Sequence, residues 1–236
     1  MHAASMRTST PFACERCTRN LGDIRTAQGD VAGGLSALTE AQKLTDSLYG
    51  PDHPESIRLL RMLGRNAQRR GAYDEALTHF EQGWQRAQRV FPAPHAVRTL
   101  LAHPLALAHL HRADLTAAER LMRQAASEAN AMYPPQHPSR ATISADLALI
   151  LLAAGQFDEA RKLAQEARDV RRAIGDEDAS IAQPELLLAV LDCLGDSPAT
   201  GASDAVAAAL DRVRADPALA PALSEDYAKA AGRCSR

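Results

Sequence analysis

The sequence predicts an all-α protein, a solenoid of stacked helix pairs, and three observations support this prediction. The first is a repeat of 42 residues, in which residues of the same kind recur at fixed positions. Four registers carry the repeat, one of leucines, two of small residues and one of apolar residues: Leu21, Leu63, Leu105 and Leu147; Gly34, Ala76, Ala118 and Ala160; Ala41, Gly83, Ala125 and Ala167; Leu48, Val90, Met132 and Ile174.

The second observation is the spacing within a copy. From Ala76 to Val90, apolar and small residues recur at steps of three or four, which is the pattern of one buried helix face. The third is side-chain size, because a glycine such as Gly64 lets two helix axes approach closely. Phe80 is predicted to fill the space between them. Since a lone helix pair cannot bury both of its faces, the copies are predicted to stack.

These residues also resemble a known signature. Leu63-Gly64, followed by Ala76-x-x-x-Phe80 and a small residue at 83, resembles the tetratricopeptide repeat. The longer period, with connectors at 49–54, 91–95 and 133–138, looks like the kinesin light chain type of repeat, and is similar to repeat tails of bacterial multidomain kinases and regulators. The resemblance covers about residues 10–195. It implies a right-handed α-solenoid of stacked antiparallel helix pairs.

Local signals place the elements in chain order. Residues 1–8 are polar and are expected to be loose, whereas Ser9-Thr10-Pro11 predicts a helix start. That helix is predicted to run to about Gln28, and further helices over 31–49, 54–69 and 73–91. Pro104 falls inside the next helix and is expected to kink it, because proline removes a backbone hydrogen bond. A fourth copy covers 138–174.

The register fails after residue 175. Helices are predicted over about 184–194, 202–214 and 222–232, with breaks at 195–201 and 217–221. We interpret residues 9–195 as four repeats and the start of a fifth, and residues 196–236 as a degenerate repeat helix and a C-terminal capping helix. Terminal repeats of solenoids are often atypical in this way.

Composition excludes several classes of protein. A net charge of −2 argues against a nucleic-acid binder, which would carry a basic excess. No run of 18 apolar residues predicts a membrane span, and the first residues lack the apolar region of a signal peptide. We therefore expect a cytoplasmic protein without a cofactor. Four cysteines in a chain of this length do not suggest a disulfide framework.

A Cys-x-x-Cys pair, Cys14 and Cys17, is the strongest motif for metal or redox chemistry. However, Cys17 shares its register with the predicted core residues Leu59, Leu101 and Ile143. Buried free cysteine behaves as a small hydrophobic residue. We therefore predict that Cys17 packs in the core and that the pair binds no metal.

Three histidines, His53, His95 and His137, recur at the period. Stacked helices would hold them about 8–10 Å apart, far beyond the reach of zinc bonds of about 2 Å. A role in the connectors or in helix capping is predicted instead. Trp84 is predicted to pack within its helix pair rather than to bind a partner. No spacing suggests a catalytic triad or paired carboxylates, so no enzyme is predicted.

By resemblance, the first helices of the pairs line a concave groove, and the lining positions lie two and five residues on either side of the repeated leucine. The candidate partner-binding residues are Arg16, Arg19 and Asn20, then Arg58, Arg61 and Arg65, then Leu100, His103, Leu107 and Leu110, then Leu149 and Leu152. Asp23, Thr26, Gln68, Thr142 and Ala145 complete the lining positions. One end of the groove is basic and the other apolar.

The same resemblance implies paired asparagines that hold a peptide's backbone. Those places read Arg19-Asn20, Arg61-Met62, His103-Pro104 and Ala145-Asp146, so only Asn20 matches the pattern. Side-chain contacts would have to contribute more of the binding here.

These observations favour a non-catalytic adaptor whose groove binds a segment of a partner protein, acidic toward the arginines and with apolar anchors toward the leucines. The alternatives are a detached regulatory module of a bacterial kinase or transcription-regulator system, and a structural spacer. The protein's own tail, residues 219–231, is a second candidate occupant of the groove. It offers Leu223, Tyr227 and Ala230 on one helical stripe, with Glu225 and Asp226 beside it.

Overall fold

The computed structural model describes residues 11–175, 178–195, 201–216 and 221–234, and within these ranges the backbone forms α-helices and no strand. The helices are α1 (Pro11–Ala27), α2 (Val31–Tyr49), α3 (Pro54–Arg69), α4 (Tyr73–Val90), α5 (Ala96–His111), α6 (Leu115–Met132), α7 (Pro138–Ala153), α8 (Phe157–Ala173), α9 (Asp178–Cys193), α10 (Ala202–Arg214) and α11 (Pro221–Ala231). The predicted all-α fold of helix pairs is confirmed. The expectation for residues 1–8 falls outside the described residues.

Two prolines lie inside helices. The structure starts α9 at Asp178, so the prediction that this helix begins at Pro184 is wrong. Ala182 and Leu186, on either side of this proline, are fully buried, and such packing offsets the lost backbone hydrogen bond. Pro104 similarly lies within the continuous helix α5. The kink at Pro104 stays a prediction.

The chain forms two compact units, unit 1 (Met1–Val90) and unit 2 (Phe91–Arg236). In unit 1, α1 pairs with α2 and α3 with α4, and α3 also packs against α1 and α2. In unit 2, the pairs are α5 with α6, α7 with α8 and α9 with α10, and the first helices α5, α7 and α9 pack in that order. The division at residues 9, 195 and 196 that the sequence suggests stays a prediction.

A glycine in each first helix of unit 1 faces a large residue of the second helix. A Cβ atom added to Gly64 would lie 2.4 Å from Phe80 Cε1, and one added to Gly22 would lie 2.8 Å from Leu38 Cγ. Phe80 is fully buried and Leu38 nearly so. The prediction that Phe80 fills the space between two closely packed helices is therefore confirmed.

In unit 2, the positions equivalent to Gly64 and Phe80 hold residues of other sizes. They are Ala106 and Met122, and one repeat later Ala148 and Ala164, all fully buried. Ala106 and Met122 together occupy about the same volume as Gly64 and Phe80, because the larger residue of the first helix faces a smaller one of the second, as close packing requires. Ala148 and Ala164 are both small, so this compensation does not extend to their repeat.

The three periodic histidines cap helices, as predicted. In each, the ring Nδ1 accepts a hydrogen bond of 3.1–3.2 Å from the backbone N–H two residues later, at the start of α3, α5 or α7. Each ring also stacks on the aromatic ring four residues earlier, with centroids 4.2–4.5 Å apart. The stacked pairs are Tyr49 with His53, Phe91 with His95 and Tyr133 with His137.

The core prediction for the first helix is wrong in part. Cys17 is exposed, and Leu21 and Ile24 are also exposed. The helix α1 packs against α2 and α3, and no described residue covers its opposite side. The side chain of Cys14 lies outside the described residues. Trp84, by contrast, is buried as predicted.

Candidate partner-binding faces

In unit 1, three arginines lie along the outer side of α3. Arg58 and Arg65 are exposed and Arg61 is half-buried. The residues between them, including Leu59 and Leu63, are buried against the neighbouring helices. Because one side of α3 is apolar and the other is not, packing of the apolar side fixes the three guanidinium groups on one face.

Carboxylates neutralise only part of this arginine face. Glu55 forms an ion pair with Arg19 and lies 3.3 Å from Arg58 Nη1. Asn20 Oδ1 accepts a hydrogen bond of 3.2 Å from Arg19 Nη2. Arg19 and Asn20 are therefore engaged with neighbours, and the side chain of Arg16 lies outside the described residues. Among the described residues, no carboxylate forms an ion pair with Arg61.

The pKa of Arg61 is lowered from its ordinary value. Burial is the main cause that lowers its pKa, and the charges of Arg65 and Arg58 lower it further. The negative charge of Asp23 raises the pKa of Arg61, but by less than burial and the charge of Arg65 lower it. A second negative charge placed among these side chains would be stabilised by all three arginines.

Thr26 is not a lining residue, and this part of the prediction is wrong. Its side chain is buried, donates a hydrogen bond of 2.8 Å to the carbonyl of Gly22 and accepts one of 2.9 Å from Asn66 Nδ2. A Cβ atom on Gly34 would lie 2.2 Å from Thr26 Oγ1. The close approach of α2 to α1 at this glycine encloses Thr26.

In unit 2, the predicted apolar face is largely covered. Leu100 is 51% exposed and Leu107 is half-buried, but Leu110, Leu149 and Leu152 are buried. The cover is α11, which packs against the first helices α5, α7 and α9. The predicted patch of five leucines in water is therefore not present as such.

The apolar stripe of α11 faces the first helices of unit 2. Leu223, Tyr227 and Ala230 are all buried, and Tyr227 is fully so. Burial, together with the nearby charge of Asp146, raises the pKa of Tyr227 well above its ordinary value. Arg171 works in the opposite direction. The hydroxyl of Tyr227 therefore stays protonated in the folded protein.

His103 and Asp146 are joined across α5 and α7, with 2.6 Å between Nε2 and Oδ2. Both belong to the positions where the resembling repeats carry backbone-holding asparagines. Arg171 Nη2 donates a hydrogen bond of 2.6 Å to Thr142 Oγ1 close by. At these two positions unit 2 thus carries side chains that hydrogen-bond to each other.

The described part of unit 2 has cavities on its first-helix face, of which two border predicted residues. The larger, about 320 Å³, lies beside α11 and is lined by Leu110, His111, Leu149, Leu152, Asp226 and Arg233, among others. The smaller, about 140 Å³, lies between the first turns of α5 and α7 and includes Leu100, His103 and Thr142. Of the predicted residues, Leu100 and His103 thus border the smaller cavity, whereas Leu110, Leu149 and Leu152 border the larger one.

A cleft of about 470 Å³ in unit 1 lies on the other side of the helix pairs, bordered by α2, α3 and α4. It is lined in part by Asp46, Glu75 and His79. Burial lowers the pKa of His79, and a hydrogen bond from Arg70 lowers that of Glu75. Sequence reasoning missed this cleft because it considered only the first-helix face.

The expectation about cysteines is corrected by a disulfide between Cys193 and Cys234, whose Cα atoms are 5.8 Å apart. The bond joins the last residue of α9 to the segment that follows α11. The presence of four cysteines in a chain of this length does not by itself indicate such a pair of cysteines. Their separation of 41 residues, close to one repeat, is the signal that the sequence offered.

Two further features, metal-ligand clusters and membrane spans, concern the part of the chain that the structure describes. There, no group of three or more His, Cys, Asp or Glu side chains is arranged to hold a metal ion. None of the helices in those ranges has both the length and the apolar content needed to cross a membrane.

A stacked set of helix pairs with the Gly64 and Phe80 contact defines the class of this protein. The sequence profile of the tetratricopeptide repeat family matches residues 15–89 and 97–173. The chain belongs to the tetratricopeptide repeat family. The gap between the two matches coincides with the connector between α4 and α5.

Known proteins show two kinds of similarity. The clustered mitochondria protein homolog of Culex quinquefasciatus is 27% identical over 177 residues, which are 74% of this chain but only 13% of that protein. Kinesin light chain TPR-like repeats of Podosopora anserina superpose with a TM-score of 0.66 at 22% identity, covering 88% of this chain and 96% of theirs. A Rap conjugation gene regulator of the plasmid pLS20, in complex with the Phr* peptide, superposes with a TM-score of 0.65 at 15% identity, covering 98% and 65%.

Proposed function

We propose that this chain is a non-catalytic interaction module whose arginine face in unit 1 binds an acidic segment of a partner protein. The observation that carries the proposal is the row of Arg58, Arg61 and Arg65 on α3, with Arg61 lacking an ion-pair partner among the described residues. Tetratricopeptide repeats use extended faces of stacked helices to bind other proteins. A solved relative in fold holds a peptide.

The geometry of α3 suggests how such a segment is read. Arg58 and Arg65 are seven residues apart, so their Cα atoms are separated by about 10 Å along the helix axis. An extended segment covers that distance in about three residues. Carboxylates about three positions apart would then reach both arginines. Arginine favours this ligand because its planar group donates two parallel hydrogen bonds to one carboxylate.

Apolar anchors of a partner have a separate place on unit 2. Leu100 is exposed and borders the 140 Å³ cavity together with His103. Burying one such side chain in an interface is worth about 1.5–3 kcal/mol. We place the module in the cytoplasm, as the composition of the sequence favours. The Rap regulator, similar in fold, keeps the second candidate function open, that of a regulatory module detached from a larger bacterial system.

The test is a binding titration with a defined probe. A fluorescein-labelled peptide in which glutamate recurs at every third position, between leucine and alanine, is titrated with the full chain and followed by fluorescence anisotropy. Arg61→Glu combined with Arg65→Glu is expected to weaken binding at least tenfold, because a hydrogen bond to a charged group contributes about 1.5–3 kcal/mol.

Two controls separate recognition from bulk charge. Lys43→Glu combined with Arg89→Glu makes the same change in charge on unit 1, at exposed residues of α2 and α4, and is expected to bind like the unaltered chain. A probe with glutamine in place of glutamate is expected to bind weakly. Equal losses in both double variants would overturn the proposal, as would the absence of binding to the acidic probe.

A further inference from the structure

We infer that the first-helix face of unit 2 is a docking site for an amphipathic helix that carries a carboxylate beside its apolar stripe. The helix α11 occupies this site as an internal ligand, under the control of the Cys193–Cys234 disulfide. Reduction of this disulfide frees one end of α11 and admits a helix from a partner. The inference concerns unit 2 alone and does not depend on the arginine face of unit 1.

The packing of α11 is that of a helix laid across a groove. Among the described helices it contacts the three first helices α5, α7 and α9, and beyond them only its neighbour in sequence, α10. Its buried stripe runs through Leu223, Tyr227 and Ala230, at steps of four and three. Recognition of a helix through anchors at such spacing is a recurrent mode of protein binding. The face thus accepts a helix rather than an extended peptide.

Polar contacts specify the chemistry and direction of this helix. Asp226 Oδ1 lies 3.5 Å from His111 Nδ1 on α5 and 2.8 Å from Lys229 on α11 itself. At the other end, Arg233 donates a hydrogen bond to the carbonyl of Leu152, and its guanidinium lies 5.4 Å from the ring centre of Phe157. A matching partner helix carries a carboxylate beside its aromatic anchor and a cation about two turns later.

The fit of α11 is incomplete, which leaves room for competition. The 320 Å³ cavity lies between α11 and the leucines beneath it. Asp226 Oδ2 is buried and has no hydrogen-bond partner among the described residues. Empty volume and an unsatisfied buried oxygen both weaken an interface. A helix with a larger residue toward the cavity, and with both oxygens of its carboxylate hydrogen-bonded, would bind more tightly than α11.

The disulfide holds α11 in place although its packing is incomplete. It ties the residue that ends α9 to Cys234, three residues beyond the end of α11. With the connection to α10 at its other end, α11 is thereby held at both ends. A covalent loop restricts the states in which the helix is detached. Both cysteines are half-buried, so the bond is within reach of solvent.

The Cys193–Cys234 disulfide thus acts as a latch on α11. The latch opens by thiol–disulfide exchange with a dithiol reductant. One thiolate of the dithiol attacks a sulfur of the Cys193–Cys234 bond, and its second thiolate resolves the mixed disulfide. Two electrons and two protons pass to the chain, which gains two thiols, while the dithiol becomes a disulfide. Disulfides in the cytoplasm are usually transient or redox-sensing, so this bond would form and open with the redox state of that compartment. After reduction α11 remains tethered through α10, so a partner still competes with a high local concentration of the helix.

The first test uses the unaltered full chain. Amide hydrogen exchange is measured by mass spectrometry with the disulfide intact and after treatment with dithiothreitol. The amides of α11 are expected to exchange at least about tenfold faster after reduction, because the disulfide no longer restrains the detachment of the helix. The amides of α3 and α4 in unit 1 serve as an internal control and are expected not to change. Equal exchange of α11 in both states would overturn the latch.

The second test asks whether the face takes a helix in trans. The full chain carrying Cys193→Ser, Cys234→Ser and Tyr227→Ala has a weakened α11, and a labelled peptide of residues 221–233 is titrated against it. Binding is expected to this variant and to be at least tenfold weaker to the oxidised unaltered chain. A peptide with Tyr227→Ala is expected to bind at least tenfold more weakly than the natural peptide.

Two outcomes would overturn the docking site. One is the absence of binding to the weakened chain while its circular dichroism stays helical, and the other is equal binding of both peptides. Because the hydrogen-exchange test needs no substitution, loss of folding in the variant leaves the latch testable. Arg61→Glu combined with Arg65→Glu is expected to change neither readout, so this inference and the proposed function fail separately.

Discussion

The helices α3 and α7 hold the same place in their helix pairs, two repeat periods apart, yet their outer faces differ. Arg65 on α3 is exposed, whereas its equivalent on α7, Leu149, is 1% exposed. Gln68 and Leu152 form the next equivalent pair, and Leu152 is equally buried. The cause is α11, which covers α7 and has no counterpart on α3 among the described residues of unit 1.

This difference separates two properties of the repeat. The inward positions of both helices pack the core, so they follow the period. The outward positions are free of that requirement, and each unit uses them differently. Arginines remain hydrated and offer charge to a partner, whereas leucines left in water would be costly and are covered by a helix of the same chain.

The largest effect is expected at the core position that the two units share. Phe80→Ala should lower the free energy of unfolding by about 3–5 kcal/mol, because it removes a fully buried aromatic ring and leaves a cavity. Urea denaturation followed by circular dichroism measures the change. A loss below about 1 kcal/mol would show that Phe80 is not the filler of the helix pair.

The face positions provide a direct contrast between the units. Leu149→Ala should lower the free energy of unfolding by about 2–5 kcal/mol, since the leucine is buried beneath α11. Arg65→Ala, at the equivalent exposed place, should change it by no more than about 0.5 kcal/mol. The same denaturation experiment compares them, and similar losses at both positions would contradict the assignment of a covered and an open face.

A third experiment converts the packing pair of unit 1 into that of unit 2. Gly64→Ala should destabilise by about 1–3 kcal/mol, because its Cβ atom would meet the ring of Phe80. Adding Phe80→Met reproduces the pair Ala106 and Met122 and should recover part of that loss. In a double-mutant cycle the two changes should therefore couple. Strict additivity would show that the volumes of these residues are not matched to one another.

Unit 2, which buries Tyr227, should lose stability at alkaline pH. The pKa of Tyr227 is raised by burial in the folded state, so the folded protein binds the phenolic proton more tightly than the unfolded chain. The stabilisation is complete below the unfolded pKa of about 10 and is lost as the pH rises above it. The loss should approach about 1.4 kcal/mol per pH unit. Denaturation between neutral and alkaline pH measures it, and Tyr227→Phe should flatten the decline.

The smallest effect is expected at the thiols of unit 1. Cys17 is exposed, and the prediction that Cys14 and Cys17 bind no structural metal implies that a chelator leaves the melting temperature unchanged. Thermal unfolding with and without ethylenediaminetetraacetate tests this, with metal analysis of the purified protein alongside. One equivalent of zinc together with a large drop in melting temperature would contradict it. Dithiothreitol, by contrast, should act on unit 2 through its disulfide.

The sequence by itself determined the helix pairs and much of their packing. The bounds of α2, α3 and α10 agree with those predicted from turn and capping residues, because these signals act over a few residues. The contact of Gly64 with Phe80 and the capping by His53 also follow from local spacing and size. Such features repeat with the period, so each copy reports on the others.

Only the tertiary structure decided what covers each face. The sequence left two occupants open for the leucines, and the packing of α11 against α5, α7 and α9 is the arrangement that the structure adopts. The pairing of Cys193 with Cys234 and the burial of Thr26 against Asn66 were missed for the same reason. These contacts join residues about 40 apart in the chain through one particular approach of two helices. The period brings such residues to neighbouring helices, but whether their side chains meet depends on how the whole packed surface fits.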